Sequence, residues 1–403
     1  MKWEKGNVFD LCDINPENIS KNYPHDFIRY YDITSVGSGV ATINDEIPLS
    51  EAPSRAKRVV RNDDTILATV RPGNRSFYYF KSAFENSIAS TGFAVLRPKV
   101  DKADPRFLYY LVSEPSFTAY LVAYEQGANY PAVNPDIIGG KPIEFPPLPT
   151  QRKIASILSA YDDLIENNLK RIKLLEEKAQ LHYKELTQEM SYAKKREEYI
   201  KDCLAFYIGG GWGEEDYKEG FTEPAFVVRG TDIPDAKKGE IKSVPFRYHK
   251  ESNLASRSMK AGDIVFEVSG GSKGQPVGRS ILITEKMLQQ FGKPVMCASF
   301  CKMLRPNENV TPEFFYLYLL ASHENGVIAQ YEKHSASNIV NYGFEEFIGE
   351  QKMTIPKETE LKAFTEKVKP IFTLISTLGE QNSKLREARD ILLPKLMNGQ
   401  IVV

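Results

Sequence analysis

The chain has 403 residues, with 52 Lys and Arg against 53 Asp and Glu, so its formal net charge is −1. That length suits two domains of ordinary size, and the balanced charge excludes a globally basic nucleic-acid binder, so any electrostatic recognition has to be local. Four cysteines (Cys12, Cys203, Cys297, Cys301) are too few for a disulfide framework, and no signal peptide or long apolar span is present, which points to a cytoplasmic protein without membrane contact.

The first stretch, residues 1–149, is β-rich. Asp64-Thr65-Ile66-Leu67-Ala68-Thr69-Val70 is a short buried-strand pattern, and it runs into the turn-rich loop Arg71-Pro72-Gly73-Asn74-Arg75. Between Arg55 and Lys81 seven Lys or Arg face only Asp63 and Asp64. Arginine and asparagine on a projecting loop can form bidentate bonds with purine edges in a major groove, while lysine holds phosphates. Lys57, Arg58, Arg61, Arg71, Asn74, Arg75 and Lys81 are therefore candidate DNA contacts. An ordinary hairpin with a solvated basic face is the competing reading.

From Gln151 to Met190 there is no Gly or Pro, and Glu, Lys, Leu and Ala dominate, which predicts a long helix after Pro149 with Thr150 as N-cap. Its apolar positions alternate spacings of four and three through Ile154, Leu158, Tyr161, Ile165, Asn168, Ile172, Leu175, Ala179, His182 and Leu186, a heptad seam.

Residues 191–354 repeat the first stretch. Leu96-Arg97-Pro98 returns as Leu304-Arg305-Pro306, and Asp104-Pro105 as Thr311-Pro312. At one spacing of 207 residues, Gly127–Asn134 falls on His334–Asn341 and Leu148-Pro149 on Ile355-Pro356. Repetition of a globular unit followed by a helix suggests one task performed at two places. The strand pattern recurs at Asp263–Val268, followed by a second turn-rich basic loop that ends at Arg279. From Lys237 to Arg279 nine Lys or Arg face four Asp or Glu. Arg247, Lys250, Arg257, Lys260, Lys273, Gln275 and Arg279 are the candidate contacts here.

Catalytic signatures are missing. Gly209-Gly210-Gly211-Trp212-Gly213 lacks the acidic residue that a dinucleotide site needs, and the loop around Lys273 lacks the ending of a phosphate-binding loop. There is no Asn-Pro-Pro-aromatic tetrapeptide of the amino-methylating kind; Phe145-Pro146-Pro147-Leu148 is apolar. Cys297 and Cys301 have no histidines at zinc-ligand spacing, so they read as buried strand thiols. No catalytic residue, cofactor or metal is expected.

Residues 355–403 carry a second seam: Leu361, Phe364, Val368, Ile371, Ile375, Leu378, Asn382, Leu385, Arg389, Leu392 and Leu396, interrupted by Pro370 and Gly379, where a kink or loosened turn is expected. Laid antiparallel, the two seams bring Ile154 to Leu396, Leu158 to Leu392, Tyr161 to Arg389, Ile165 to Leu385, Ile172 to Leu378, Leu175 to Ile375 and Asn168 to Asn382. Two facing asparagines satisfy one another and penalise shifted registers. The alternative is that each helix packs on its own globular unit and the asparagine pair is coincidence.

Several segments resemble the conserved regions of specificity subunits of type I restriction-modification systems. They are Pro146-Pro147-Leu148-Pro149-Thr150-Gln151-Arg152-Lys153-Ile154-Ala155-Ser156-Ile157-Leu158 with Asp162-Asp163-Leu164-Ile165-Glu166, the tail Leu393-Pro394-Lys395-Leu396-Met397-Asn398-Gly399-Gln400-Ile401, and Ile66–Gly73. The resemblance spans the chain in order. It implies an α+β fold in which two globular α/β target recognition domains in a pseudo-twofold repeat (1–149 and 191–354) are separated by two long helices, 150–190 and 355–403, forming an antiparallel coiled coil. It further implies that the domains read the two halves of a bipartite double-stranded DNA site, that two modification (adenine methyltransferase) subunits dock on the scaffold, and that restriction subunits join for cleavage. Recognition domains vary most in such a family, so the resemblance assigns no base-contacting residue. A non-catalytic two-headed protein-binding scaffold and a stand-alone DNA-binding regulator remain the alternatives.

Overall fold

Four buried residues, Thr65–Ala68, form a strand covered on both faces, which is why Ile66–Ala68 read as a short apolar run without polar alternation. The computed structural model describes residues 3–42, 45–127, 131–189, 196–270, 277–334 and 340–403; parts of the repeated segments around Asn129 and Asn338, and Met190, lie outside them. The chain divides into two units, residues 1–163 with 386–403 and residues 164–385.

In unit 1, Thr65–Ala68 sits inside an antiparallel sheet in the order Cys12–Ile14, Phe93–Pro98, Thr65–Ala68, Phe77–Tyr79. A second sheet runs Glu46–Pro48, Phe27–Tyr31, Ser87–Ser90, Ala56–Val59, with Phe27–Tyr31 and Ser87–Ser90 parallel. Glu4–Asn7 pairs with Pro142–Phe145. The helix Pro105–Ser113 begins at Asp104, whose carboxylate accepts the amides of Arg106 and Phe107 at 3.0 Å. Proline at the first helical position loses no bond there. Gln151, 1% exposed, ties the start of the central helix to this unit: its Oε1 accepts Asp104 N at 3.0 Å and its Nε2 donates to Lys102 O and Pro146 O at 3.0 Å.

Unit 2 repeats the plan. Its main sheet runs Leu204–Gly209, Cys301–Pro306, Ile264–Glu267, Ser280–Leu282, again antiparallel. Its second sheet runs Phe246–His249, Glu223–Val228, Val295–Cys297, with the latter two parallel, and Arg196–Tyr199 pairs with Lys352–Ile355. Register is kept as well as order, since Thr65 faces Leu96 and Ile264 faces Leu304.

The repeated Leu-Arg-Pro triplets acquire a physical role. Arg97 donates from Nε and Nη2 to the fully buried Asp64 at 2.9 and 2.8 Å, and Arg305 does the same to Asp263, 1% exposed, at 2.7 Å through both nitrogens. A turn amide completes each carboxylate's coordination: Arg61 N at 2.8 Å in unit 1 and Lys260 N at 2.7 Å in unit 2. Burial pushes the Asp64 carboxyl up, against the pull of Arg97.

The long helices are Leu148–Glu189 and Glu358–Met397. The first starts two residues before the expected N-cap. Pro149 and Thr150 sit in its first turn, where the missing proline N–H has no partner to lose, and Pro147 O accepts the amides of Thr150 and Gln151. In unit 1, Ile154, Ala155 and Leu158 share a core with Leu393, Leu396 and Met397. In unit 2, Ile172 and Ala179 share one with Val368, Ile371, Ile375 and Leu378. Asn168 Nδ2 donates to Asn382 Oδ1 at 3.0 Å, but Asn382 Nδ2 is buried without a partner, so the pair satisfies itself only in part. At Arg389 the seam is ionic. Its Nη1 lies 2.5 Å from Asp162 Oδ1, and Tyr110 Oη donates to Asp162 Oδ2.

The second helix continues through Pro370 and Gly379. Instead of loosening a turn, Gly379 forms a notch: a Cβ there would lie 2.7 Å from Gly239 Cα and 2.9 Å from Lys238 O. Thr284 bonds Ser376 at 2.8 Å and Lys286 pairs with Glu380 at 2.7 Å around the same contact.

Candidate nucleic-acid interface

In unit 1 the strand Thr65–Ala68 leads into a single 3-10 turn, Pro72–Asn74, bracketed by two arginines in left-handed conformation, Arg71 at φ 47° and Arg75 at φ 54°. Non-glycine residues adopt this region at a cost of about 1–3 kcal/mol each, and such strain concentrates where a loop has to present something. The turn is fixed from outside: Arg71 N donates to Pro131 O at 2.7 Å, and Arg75 Nη2 donates to Ser113 O at 2.8 Å. Arg75 is thereby drawn inward, while Arg71 and Asn74 are exposed at the tip.

The other cations of this unit differ in how far neighbouring side chains occupy them. Lys57 is exposed on Ala56–Val59. Arg58 Nη1 donates to Asn18 Oδ1 at 2.9 Å, Arg61 forms a bidentate pair with Glu17 at 2.8 and 2.9 Å, and Lys81 Nζ lies 3.2 Å from Asp163. The Arg61 bond holds the Glu17 carboxyl below its usual range.

In unit 2, Arg247 stacks 4.7 Å over Trp212 and pairs with Glu215 at 3.0 Å. Lys250 lies 5.3 Å over the Phe221 ring. Arg257 Nε donates to Gly209 O at 3.0 Å, and Lys260 is exposed beside the Asp263 turn. Arg279 is taken up by Glu267, which is 2% exposed, through bonds of 2.8 and 2.6 Å, and that carboxylate keeps the guanidinium charged. Lys273 and Gln275 lie outside the described residues.

Two amides of the glycine run 209–213 are occupied by the protein itself. Gly210 donates to Cys301 O at 3.0 Å and Gly211 to Cys297 O at 2.9 Å, leaving neither for a phosphate. Cys297 and Cys301 are buried, and burial pushes the Cys297 thiol up to about 12. Among the described residues no group of three or more His, Cys, Asp or Glu is placed to hold a metal ion, and no helix is long and apolar enough to cross a membrane.

Sequence reading missed the carboxylates that consume several of these cations, and it missed the two Asp–Arg pairs. The pairs had a signal, because each arginine lies in a repeated Leu-Arg-Pro triplet and each aspartate opens a repeated strand.

With this geometry in view, comparisons with known proteins agree with one another. Residues 1–177 match the type I restriction modification DNA specificity domain. The chain is 24% identical over 462 residues to the type I restriction enzyme HindI specificity subunit of Haemophilus influenzae, covering 98% of this chain and 99% of the relative. It is 27% identical over 345 residues to the MjaIX specificity subunit of Methanocaldococcus jannaschii, covering 77% of this chain and 72% of the relative. A solved specificity subunit from M. genitalium shares the fold with a TM-score of 0.56 at 15% identity, over 98% of this chain and 96% of that one. Residues 1–177 thus match the type I restriction modification DNA specificity domain, and over most of its length the chain is similar to specificity subunits of type I restriction-modification systems.

Proposed function

We propose that the two repeated units read the two halves of a bipartite duplex site, and that the paired helices set the gap between the halves and carry two modification subunits, with restriction subunits joining that assembly. As a specificity subunit the chain is the DNA-binding, non-catalytic component of its complex. The observation that carries the bipartite reading is the duplication itself: one sheet order, one register and one buried Asp–Arg pair, each present twice. Candidate contacts are the outward-facing cations, Arg71 with Asn74 and Lys57 in unit 1 and Lys250 with Lys260 in unit 2.

Footprinting the complex on duplex DNA tests this. Two protected segments separated by an unprotected gap are expected, with log affinity falling steeply against log salt. Arg71→Ala should weaken one segment only, and the chain alone should neither methylate nor cut. A single continuous footprint, or affinity insensitive to salt, would overturn the reading.

A further inference from the structure

The glycine run of unit 2 follows the edge strand Leu204–Gly209 and brings Trp212 to Arg247, on the edge strand Phe246–His249 of the second sheet. A Cβ at Gly210 would lie 2.2 Å from the carbonyl oxygens of both Cys297 and Ala298, so only glycine lets the loop come this close. Trp212 is left 40% exposed with the Arg247 guanidinium stacked on it. The turn that receives the loop, Ala298–Cys301, carries Phe300, which is 63% exposed. The Phe300 carbonyl accepts Val268 N at 2.9 Å and Ser269 N at 3.3 Å, so the exposed ring stands on a pinned backbone.

Unit 1 builds the same turn without the ring. Between Ser87–Ser90 and Phe93–Pro98, Gly92 O accepts Thr69 N at 2.8 Å and Thr69 Oγ1 at 2.9 Å, matching the bond from Val268 to Phe300. Nothing in the fold requires an aromatic side chain at this tip. Arg247 is also incompletely partnered: its Nε is buried without an acceptor, and its carboxylate partner Glu215 has a side chain 81% exposed. A guanidinium stacked on an indole, with an exposed carboxylate as its counter-ion, is poised to exchange that carboxylate for another anion.

We propose that this end of unit 2 contacts duplex DNA: Phe300 packs against the bases of the half-site that unit 2 reads, and Arg247, stacked on Trp212, exchanges Glu215 for a backbone phosphate. The proposal rests on the DNA-recognition reading and adds the surface and the mode of contact. Aromatic side chains pack against or between bases with little demand on the base identity, and guanidinium groups hold phosphates bidentately.

The test uses the chain with its modification subunits, on a duplex carrying the site that the complex methylates, located by mapping methylated adenines. Phe300→Gly installs the residue that unit 1 carries at the same turn, and thermal unfolding checks that the fold is retained. It should lower affinity about tenfold or more, with protection lost at the half-site that Arg71→Ala leaves intact. Glu215→Gln should act in the opposite direction and tighten binding, by removing both the competitor for Arg247 and a repulsive charge. Wild-type affinity and footprint in both variants, with salt-dependent binding of the parent complex intact, overturn this surface and leave DNA recognition standing. The same holds if Phe300→Gly releases a modification subunit but leaves DNA affinity unchanged, since the rings would then be a protein contact. A parent complex with no salt-dependent DNA binding overturns the recognition reading together with the surface.

Discussion

Unit 1 and unit 2 keep the same interior and differ at their ends and in how they grip the long helices. The Asp64–Arg97 and Asp263–Arg305 pairs are nearly superimposable in chemistry, down to the turn amide on each carboxylate. One strand end differs: Ala68 is the last residue of its strand in unit 1, while unit 2 has Glu267 at that place, buried against Arg279. Unit 1 fastens to the central helix by charge, with Lys81 and Arg106 on Asp163. Unit 2 fastens to the C-terminal helix through the backbone contact of Gly239 with Gly379, with the Thr284–Ser376 bond and the Lys286–Glu380 pair around it. What is retained is the frame that fixes strand register, and what varies is the rim. That division suits the proposal that the two units share a scaffold and read different half-sites.

The comparison breaks most visibly if the retained pairs are removed. Arg97→Met leaves Asp64 fully buried without its counter-ion, a change that typically costs about 3–5 kcal/mol. Arg305→Met should do the same to unit 2 through Asp263. Hydrogen exchange read alongside chemical denaturation should show each variant loosening its own unit first. Equal loosening of both units by either variant would show that the pairs do not act locally.

Next in size is the polar layer of each seam. Asn168→Leu strands the entire amide of Asn382, which is 0% exposed, at a cost of about 1–3 kcal/mol. Asn382→Leu should cost less, because it removes a donor that already lacks a partner and strands only the Asn168 donor. Changing both should recover most of the loss. A double-mutant cycle measured by denaturation checks this, and equal single-variant costs would show that the unpartnered Nδ2 is not the source of the asymmetry.

Gly379→Ala pits two effects against each other. In an exposed helix interior the change to alanine stabilises by about 1 kcal/mol. Here the new Cβ would meet Gly239 and Lys238 backbone below 3.0 Å, and overpacking of that kind costs about 1–3 kcal/mol. The net effect should be a destabilisation of unit 2 of up to about 2 kcal/mol. A raised melting temperature would mean that the Gly239 loop yields freely and that the notch does not fasten the unit.

These contrasts also show where sequence reading reached and where it stopped. The helices were legible because a heptad period is a local property, reinforced from Gln151 to Met190 by the lack of Gly and Pro, and the partial burial of Leu385, Arg389 and Leu392 follows the same period. The repeat was legible because it preserves residues at nearly constant spacing. The fate of each arginine was not legible. Arg61 meets a carboxylate 44 residues away and Arg279 one 12 residues away, and nothing near either arginine in sequence announces the partner. Gly379 looked like a helix defect for the same reason, because the backbone that needs its missing side chain comes from Gly239.

The smallest expected difference is in acid sensitivity. Unit 2 holds His249 at 1% exposure, and burial lowers its pKa below the usual value near 6.5; burial, and then Lys237, lower that of His323. The only histidine of unit 1, His25, is half-exposed. Above about pH 6.5 both the folded and the unfolded chain carry these two imidazoles neutral, and their contribution is fully present. As pH falls below 6.5 the unfolded state takes up protons first, so unit 2 should lose stability progressively until the lowered folded pKa values are reached. Glu17 of unit 1, held down by Arg61, begins to act only below its ordinary value of 4.5. Glu176 and Glu313, raised by burial, work the other way in unit 2, so the measurement is the difference between the parent chain and His249→Gln. Denaturation midpoints between pH 7 and pH 5, with hydrogen exchange to separate the units, should show a shallower decline in the variant, confined to unit 2. Identical slopes in the two proteins would show that His249 takes up its proton as readily folded as unfolded, and that the acid response of the two units does not differ through this residue.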